Sequence, residues 1–187
     1  MFTRHSTDFA AVTSAQAVKG AMFSLSVETI VETRRGWRKI ADVRPSDEIA
    51  SLDGGFVPLS WVRQAIPTPN YHIPAQALGN CDDMVLPSDS RIGRGAPLNF
   101  THASTDMLSA PIRAFEGYRG IRKVTASETT PSLTIGLAAE EMLWVQSGLL
   151  IHARPMTTPY FHTLSFAEAC ALIALESTSP DCIPVAA

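Results

Sequence analysis

Cysteine is scarce in this chain, and that scarcity argues against two classes of protein. Among 187 residues there are three cysteines, Cys81, Cys170 and Cys182, and their spacing matches neither a CxxC pair nor a set of metal ligands. An odd number of cysteines at wide intervals also argues against the disulfide framework of a small secreted domain. The histidines are equally scattered, and Gly93-Arg94-Gly95 precedes no helix pattern that would hold a phosphate. The sequence therefore predicts no metal and no cofactor.

The chain also lacks an excess of positive charge and any long apolar run. Its formal net charge is −3, whereas a protein that binds the nucleic-acid backbone normally shows a clustered basic surplus. No window approaches the roughly 20 apolar residues that span a bilayer, and the apolar stretch Phe9–Val12 is too short for a secretory signal. We therefore expect no nucleic-acid partner, no membrane partner and a cytoplasmic location.

What the chain does contain is the pattern of a β protein. A hydrophobic content of 45% is enough for a core, and short apolar runs alternate with Gly, Pro, Asn and Asp over residues 22–153. Glycine-containing turns at Leu52–Gly55 and at Ser147-Gly148 predict two hairpins. The segments expected to form strands are Thr29–Thr33, a return strand from Trp37, Glu48–Leu52, Phe56–Val62, Val85-Leu86, Leu133–Leu137, Met142–Gln146 and Leu149–His152.

The two ends of the chain differ from this middle part. Residues 1–21 are polar and rich in Ser, Thr and Ala, and we interpret them as a flexible leader or a short helix. In residues 154–187, Ser165 and Glu168 have the spacing of a capping box, and the residues that follow predict a helix from Phe166 to Glu176. The side chains expected to pack are those of Phe166, Ala169, Cys170, Ile173 and Ala174.

The stretch from Ser24 to Ile49 is the most informative part of the sequence. It contains a strand, a tight turn at Arg34-Arg35-Gly36, a return strand and a polar corner at Ser46-Asp47. This order resembles the opening of a Hint domain, the all-β module shared by hedgehog autoprocessing domains and inteins. The resemblance covers residues 22–153 plus the trailing helix, and it implies a horseshoe-like, all-β fold with a C-terminal helix.

Smaller features extend the resemblance. Gln76–Gly79, Arg113–Ile121 and the tryptophan after the hairpin glycine look like a bacterial branch of the family known from alphaproteobacterial genomes. Ser46 replaces the glycine of the family's Gly-Asp corner, and a left-handed conformation there would cost about 1 kcal/mol. Asp47 is retained, and we expect it to bind free backbone amides of the corner.

A Hint domain performs an acyl shift at its first nucleophile, and the resemblance puts Ser24 in that role. Its hydroxyl would attack the carbonyl of Phe23 and convert the peptide bond into an ester, so the N-terminal segment of the chain would be its own substrate. Such chemistry needs a nucleophile at a turn, a polarised peptide, a proton shuttle and a group that assists departure. A serine hydroxyl is weak without an adjacent base, so its neighbours decide the case.

Those neighbours match the family only in part. Where the family has Thr-x-x-His, this chain has Pro87 and Ser90, so the imidazole that protonates the leaving nitrogen is missing. Asp89 would replace it only if burial kept its carboxyl protonated. His152 matches the histidine of the family's last strand, whereas Ala153 replaces the asparagine whose cyclisation completes splicing. The resemblance therefore implies Ser24 and His152 as catalytic candidates and excludes protein splicing.

Other titratable residues have plainer interpretations. His152 itself has a structural alternative, a strand-end histidine hydrogen-bonded to backbone. Asp82-Asp83 and Glu140-Glu141 are interpreted as solvated turns rather than as catalytic pairs, because neighbours in a strand point to opposite faces.

These observations leave three functions open. The chain is a self-cleaving domain acting through Ser24 and His152, a degenerate Hint scaffold that serves as a structural or protein-interaction module, or an unrelated, non-catalytic β-barrel that binds a protein partner. The missing histidine at Ser90 favours the second. Activity predicts the Ser24 hydroxyl within reach of the Phe23 carbonyl with the His152 ring nearby, whereas degeneration predicts a plugged or mismatched pocket.

Overall fold

β-Strands dominate the computed structural model, which describes residues 20–53, 55–96, 106–125 and 130–178. Those ranges contain fourteen strands, one α-helix and three short 3-10 turns, at Ile40–Asp42, Ile112–Phe115 and Tyr118–Gly120. In chain order the regular elements are β1 (Ala21–Ser26), β2 (Ile30–Thr33), β3 (Gly36–Lys39), β4 (Glu48–Ala50), β5 (Phe56–Gln64), β6 (Asn70–Ile73), β7 (Met84–Pro87), β8 (Arg91–Gly95), β9 (Met107–Pro111), β10 (Arg122–Lys123), β11 (Ser132–Leu137), β12 (Glu141–Trp144), β13 (Leu150–Pro155), β14 (His162–Thr163) and α1 (Phe166–Thr178).

Eleven strands form one sheet, and β1 lies near its middle. The order is β14-β9-β8-β13-β1-β11-β5-β4-β2-β3, with β12 paired to β13, while β10, β6 and β7 form a second sheet. Within the described ranges the large sheet runs between two edge strands, β14 and β3, and is not closed into a barrel. The all-β prediction with a C-terminal helix is confirmed, and the β-barrel alternative is wrong in its architecture.

The opening motif folds as the sequence predicts. β2 and β3 pair antiparallel from Ile30↔Lys39 to Thr33↔Gly36, and Gly36 takes a positive φ of 93° at the turn. The corner that follows holds Ser46 at a φ of 74°, so the strain expected for a side chain there is present. The Asp47 carboxylate accepts the backbone N–H of Arg44 at 2.8 Å, which is the corner-binding role expected of it.

Both predicted hairpins are present, although four well-paired strands were missed. β4 and β5 pair from Glu48↔Pro58 to Ala50↔Phe56, and β12 and β13 pair on either side of Gly148, whose φ is +79°. β1, β6, β8 and β9 were not predicted. Two glycines and two arginines occupy the five positions of β8, so its strand character comes from pairing with β9 and β13.

The C-terminal helix begins with the predicted capping box. The Ser165 backbone N–H donates to the Glu168 carboxylate at 2.7 Å, and the Glu168 backbone N–H donates to the Ser165 hydroxyl at 3.3 Å. α1 packs on Ile112–Phe115 and on β9. Its buried residues are Ala169, Leu172 and Ile173, with Cys170 partly buried, whereas Phe166 and Ala174 are exposed, contrary to prediction.

The core lies beneath β1 and its neighbours in the sheet. Leu25 of β1, Ile135 of β11 and Ile151 of β13 are completely buried, so β1 is anchored on both sides by apolar packing. Residues 1–19, most of the predicted leader, lie outside the described residues. Of the helices that the described ranges contain, none combines the length and apolar character needed to cross a membrane.

Candidate functional site

Ser24 lies in the middle of β1 rather than at a turn. It pairs with Thr134 in a register that runs without a shift from Ala21↔Leu137 to Ser26↔Ser132. A serine in a continuous ladder is held in ordinary extended backbone, because both neighbouring residues are paired as well. The expectation of a nucleophile at a turn is therefore wrong for the folded chain, and the Phe23–Ser24 peptide is part of the central sheet.

The Ser24 hydroxyl is engaged by two polar side chains. It donates to the Asp89 carboxylate at 2.8 Å and lies 3.3 Å from the Thr134 hydroxyl. A carboxylate at this distance is a proton acceptor in the correct place for a general base. Asp89 therefore stands next to the Ser24 hydroxyl, whereas the resemblance puts the imidazole one residue later, at Ser90, and on the leaving nitrogen.

Ser90, which stands at the family's histidine position, hydrogen-bonds to the β1 backbone at Ser24 rather than to the Ser24 side chain. Its buried hydroxyl donates to the Ser24 carbonyl oxygen at 2.9 Å. That carbonyl follows Ser24, whereas the acyl shift takes place at the Phe23 carbonyl before it. Ser90 thus anchors the β1 backbone, and a serine hydroxyl cannot act as a cationic acid for the leaving nitrogen.

His152 is buried in β13 with both ring nitrogens hydrogen-bonded. Its Nδ1 lies 2.6 Å from the Ser109 hydroxyl and its Nε2 lies 2.7 Å from the Glu140 carboxylate. The Phe161 ring meets the imidazole edge-on at 5.7 Å. The partners are side chains from β9 and from the β11–β12 connection, not the backbone groups that the structural interpretation of this histidine expected.

The hydrogen bonds assign the tautomer of His152. Glu140 is a pure acceptor, so Nε2 carries the proton. Arg91 Nε donates to the Ser109 hydroxyl oxygen at 2.8 Å, which leaves the Ser109 proton to be donated to Nδ1. Burial lowers the pKa of His152 from 6.5, and the nearby Glu140 only partly offsets this, so the ring is neutral at neutral pH.

Glu140 holds this arrangement in place. Besides His152, its carboxylate accepts the backbone N–H of Tyr160 at 2.6 Å and that of Phe161 at 3.2 Å. Its side chain is only 9% exposed, so the prediction of a solvated turn is wrong for Glu140. The physical reason is the short connection between β11 and β12, which leaves the residue beside β13 rather than in solvent.

Arg91 and Ser109 are functional neighbours that sequence reasoning missed. Arg91 Nη2 donates to the Ser109 and Leu164 carbonyl oxygens, each at 2.7 Å, and so joins β8, β9 and the segment before α1. Burial, followed by repulsion from Arg154 and Arg113, lowers the Arg91 pKa to about 10. Neither residue is marked by a motif, and the pairing of β8 with β9 brings them together.

One cavity of about 300 Å³ joins the two predicted site residues. Ser24 and Asp89 lie on its wall together with His152, although the His152 ring nitrogens are bonded elsewhere. The remaining lining residues are Met22, Phe23, Ala65, Ile66, Thr68, Ser90, Arg91, Thr134 and Arg154. Over the described ranges no three His, Cys, Asp or Glu side chains converge as metal ligands would.

No family model and no curated protein sequence matches the chain. Among solved structures it is similar to three inteins, each covered over 99% of its own length. The Msm DnaB1 intein splicing domain bound with zinc shares 13% identity over 70% of this chain, with a TM-score of 0.48. The MchDnaB-1 intein shares 16% identity over 70% of this chain, with a TM-score of 0.45. The gp41-1 intein shares 11% identity over 71% of this chain, with a TM-score of 0.46.

Proposed function

We propose that this protein is a degenerate Hint-type scaffold that holds the former reaction site without turning over, and that it serves as a structural or protein-interaction module. The observation that carries the proposal is the engagement of His152. Both of its ring nitrogens are bonded, to Ser109 and to Glu140, so neither is free to assist the Phe23–Ser24 bond. A general acid must reach the atom it protonates before its pKa matters.

Two further contacts support the same conclusion. The Ser90 hydroxyl binds the Ser24 carbonyl rather than the peptide ahead of Ser24. The Phe23–Ser24 peptide is also paired residue by residue with β11, so attack on the Phe23 carbonyl would have to break an ordered ladder. Each of these contacts stabilises the uncleaved chain.

One observation favours a second function, slow self-cleavage at Ser24. The Ser24–Asp89 hydrogen bond of 2.8 Å places a base on the hydroxyl. In that reaction Ser24 Oγ would bond to the Phe23 carbonyl carbon, the C–N bond would break, and the Ser24 nitrogen would leave as an amine after gaining a proton. The resulting ester would then be open to hydrolysis or to hydroxylamine.

The intact mass of the full chain distinguishes the two functions. Wild type, Ser24→Ala and Ser24→Cys are incubated with and without hydroxylamine, and each sample is denatured before mass measurement. Denaturation is essential because Ala21, Met22 and Phe23 are paired with β11 or β13, and these pairs would hold the cleaved segment in place. A stable full-length mass in all three proteins is the expected result. Time-dependent loss of residues 1–23 from wild type, absent in Ser24→Ala, would overturn it.

A further inference from the structure

The cavity beside Ser24 contains more positive than negative charge. Arg91 and Arg154 line it, and among the described residues on its wall Asp89 is the single carboxylate. Asp89 is occupied by the Ser24 hydroxyl. Arg154 is exposed, and within the described part of the chain it forms no ion pair. Because His152 is neutral, the positive charge on the cavity wall comes from the two guanidinium groups.

Arg91 is a partly buried cation held by neutral acceptors. Its Nε and Nη2 donate to the hydroxyl and carbonyl of Ser109 and to the Leu164 carbonyl, while Nη1 donates to no described residue. The lowered pKa of this group has burial as its first cause and the charges of Arg154 and Arg113 as its second and third. An anion in the cavity would offset the repulsion from Arg154 and Arg113 by adding a charged acceptor beside Arg91.

Apolar side chains also line the cavity. Met22 pairs with Arg154 across β1 and β13 and therefore lies on the same face of the sheet. Ile66 is 83% exposed at the rim and Ala65 lies beside it. A volume of about 300 Å³ is at the lower end of the range for small-ligand pockets. The cavity therefore suits a small group that is anionic at one end and apolar at the other.

A second cavity shows that this charge is local. It measures about 340 Å³, and its lining includes Glu28, Asp82 and Asp83 together with His72. The chain as a whole has a net charge of −3. Two cavities of similar size thus carry opposite charge, so an anion is electrostatically favoured in the Arg91 cavity and disfavoured in the second one.

We propose that the cavity lined by Arg91 and Arg154 binds an organic carboxylate, with the carboxylate between the two guanidinium groups and its apolar substituent against Met22 and Ile66. The inference rests on the proposed function in one respect, because a scaffold that does not cleave leaves this cavity to a ligand. Arginine suits the role because its planar donors match the geometry of a carboxylate.

The test is a titration of the full-length protein followed by NMR, with hexanoate, acetyl-Phe-Leu, its C-terminal amide and inorganic phosphate as probes at matched ionic strength. The wild type is compared with Arg154→Gln and with Arg35→Gln, an exposed arginine of the hairpin turn that makes the same charge change elsewhere. Hexanoate or acetyl-Phe-Leu is expected to bind with a Kd on the order of 1 mM. Arg154→Gln should weaken binding roughly tenfold, and Arg35→Gln should leave it unchanged.

Asp89→Asn gives a change in the opposite direction. It keeps an acceptor for the Ser24 hydroxyl but removes a negative charge from the wall, so the carboxylate should bind roughly threefold more tightly. Tighter binding of acetyl-Phe-Leu than of hexanoate would indicate that the carboxylate is a peptide C-terminus. Equal affinity for the two probes would indicate a small organic acid.

Three results would overturn the inference: no saturable carboxylate binding, equal binding by Arg154→Gln, or binding of the amide or of phosphate as strong as that of the acid. Intact mass is recorded on the same samples. Cleavage would contradict the proposed function while leaving the binding result readable, because the two measurements are separate.

Discussion

The two ends of the Ser24–His152 cavity differ in how their polar groups are satisfied. At the Ser24 end, the Ser24 hydroxyl, the Asp89 carboxylate and the exposed Arg154 line the cavity. At the His152 end, the imidazole is enclosed by Ser109, Glu140 and Phe161. The first end lines the cavity, whereas the second is enclosed by packed side chains. A buried polar network of this kind stabilises only when every member has its partner, so the two ends should respond very differently to substitution.

The largest expected effect is the loss of stability on removing the His152 ring. His152→Ala would leave Glu140 and Ser109 buried without their shared partner, and we expect the free energy of unfolding to fall by about 3–5 kcal/mol. His72→Ala is the matched control, because His72 pairs with the exposed Asp83 and its loss should matter little. Urea denaturation measures both. Equal losses would show that the His152 network contributes no more than a surface pair.

Adjacent glutamates provide the second contrast. Glu140→Gln keeps the shape of the side chain but weakens an acceptor of three N–H groups, so we expect a loss of about 2 kcal/mol. Burial raises the pKa of Glu141, which means that its charged form is disfavoured in the folded protein. Glu141→Gln should therefore leave stability unchanged or raise it. Thermal or urea unfolding measures the stability of both variants. A larger loss of stability in Glu141→Gln than in Glu140→Gln would refute the structural role given to Glu140.

The third prediction concerns pH. The pKa of His152 is lowered in the folded chain from 6.5, so below pH 6.5 the unfolded state binds a proton that the folded state does not. Stability should fall as pH falls through that window, with a contribution from this residue of up to about 1.4 kcal/mol per pH unit. His152→Gln should flatten the profile between pH 7 and pH 5, whereas His72→Gln should retain the slope. Parallel profiles for wild type and His152→Gln would contradict the neutral assignment.

The smallest effect is expected at the open end of the cavity. Ser24→Ala removes the hydrogen bond to Asp89 and should cost about 1 kcal/mol. Ser26 is the natural comparison, because it is buried in the same strand and its hydroxyl makes no hydrogen bond within the described ranges. Ser26→Ala should therefore cost less in urea unfolding. If Ser24→Ala proved as costly as His152→Ala, the distinction between the two ends would fail.

How far the site was predictable depends on the residue. Ser24 and His152 were both singled out from the sequence, and they do line one cavity, while their catalytic roles remain predictions. Glu140 was interpreted as solvated because two adjacent carboxylates look like a turn. Its burial follows from a three-residue connection that returns the chain against β13. Local pattern contains no information about which strand such a connection will meet.

The sequence by itself determined the local elements of this protein: the β2–β3 hairpin at Gly36, the strained corner at Ser46, and the capped start of α1. Each depends on backbone preferences or on partners within a few residues. Only the tertiary structure decided that Asp89 binds Ser24, that Ser109 and Glu140 enclose His152, and that Arg91 and Arg154 share a cavity. Asp89 is 65 residues from Ser24, Ser109 is 43 residues from His152, and Glu140 is 12 residues from His152. These residues meet because β1, β8, β9 and β13 are neighbours in one sheet. Strand order is set by long-range burial of apolar faces, which no local pattern specifies.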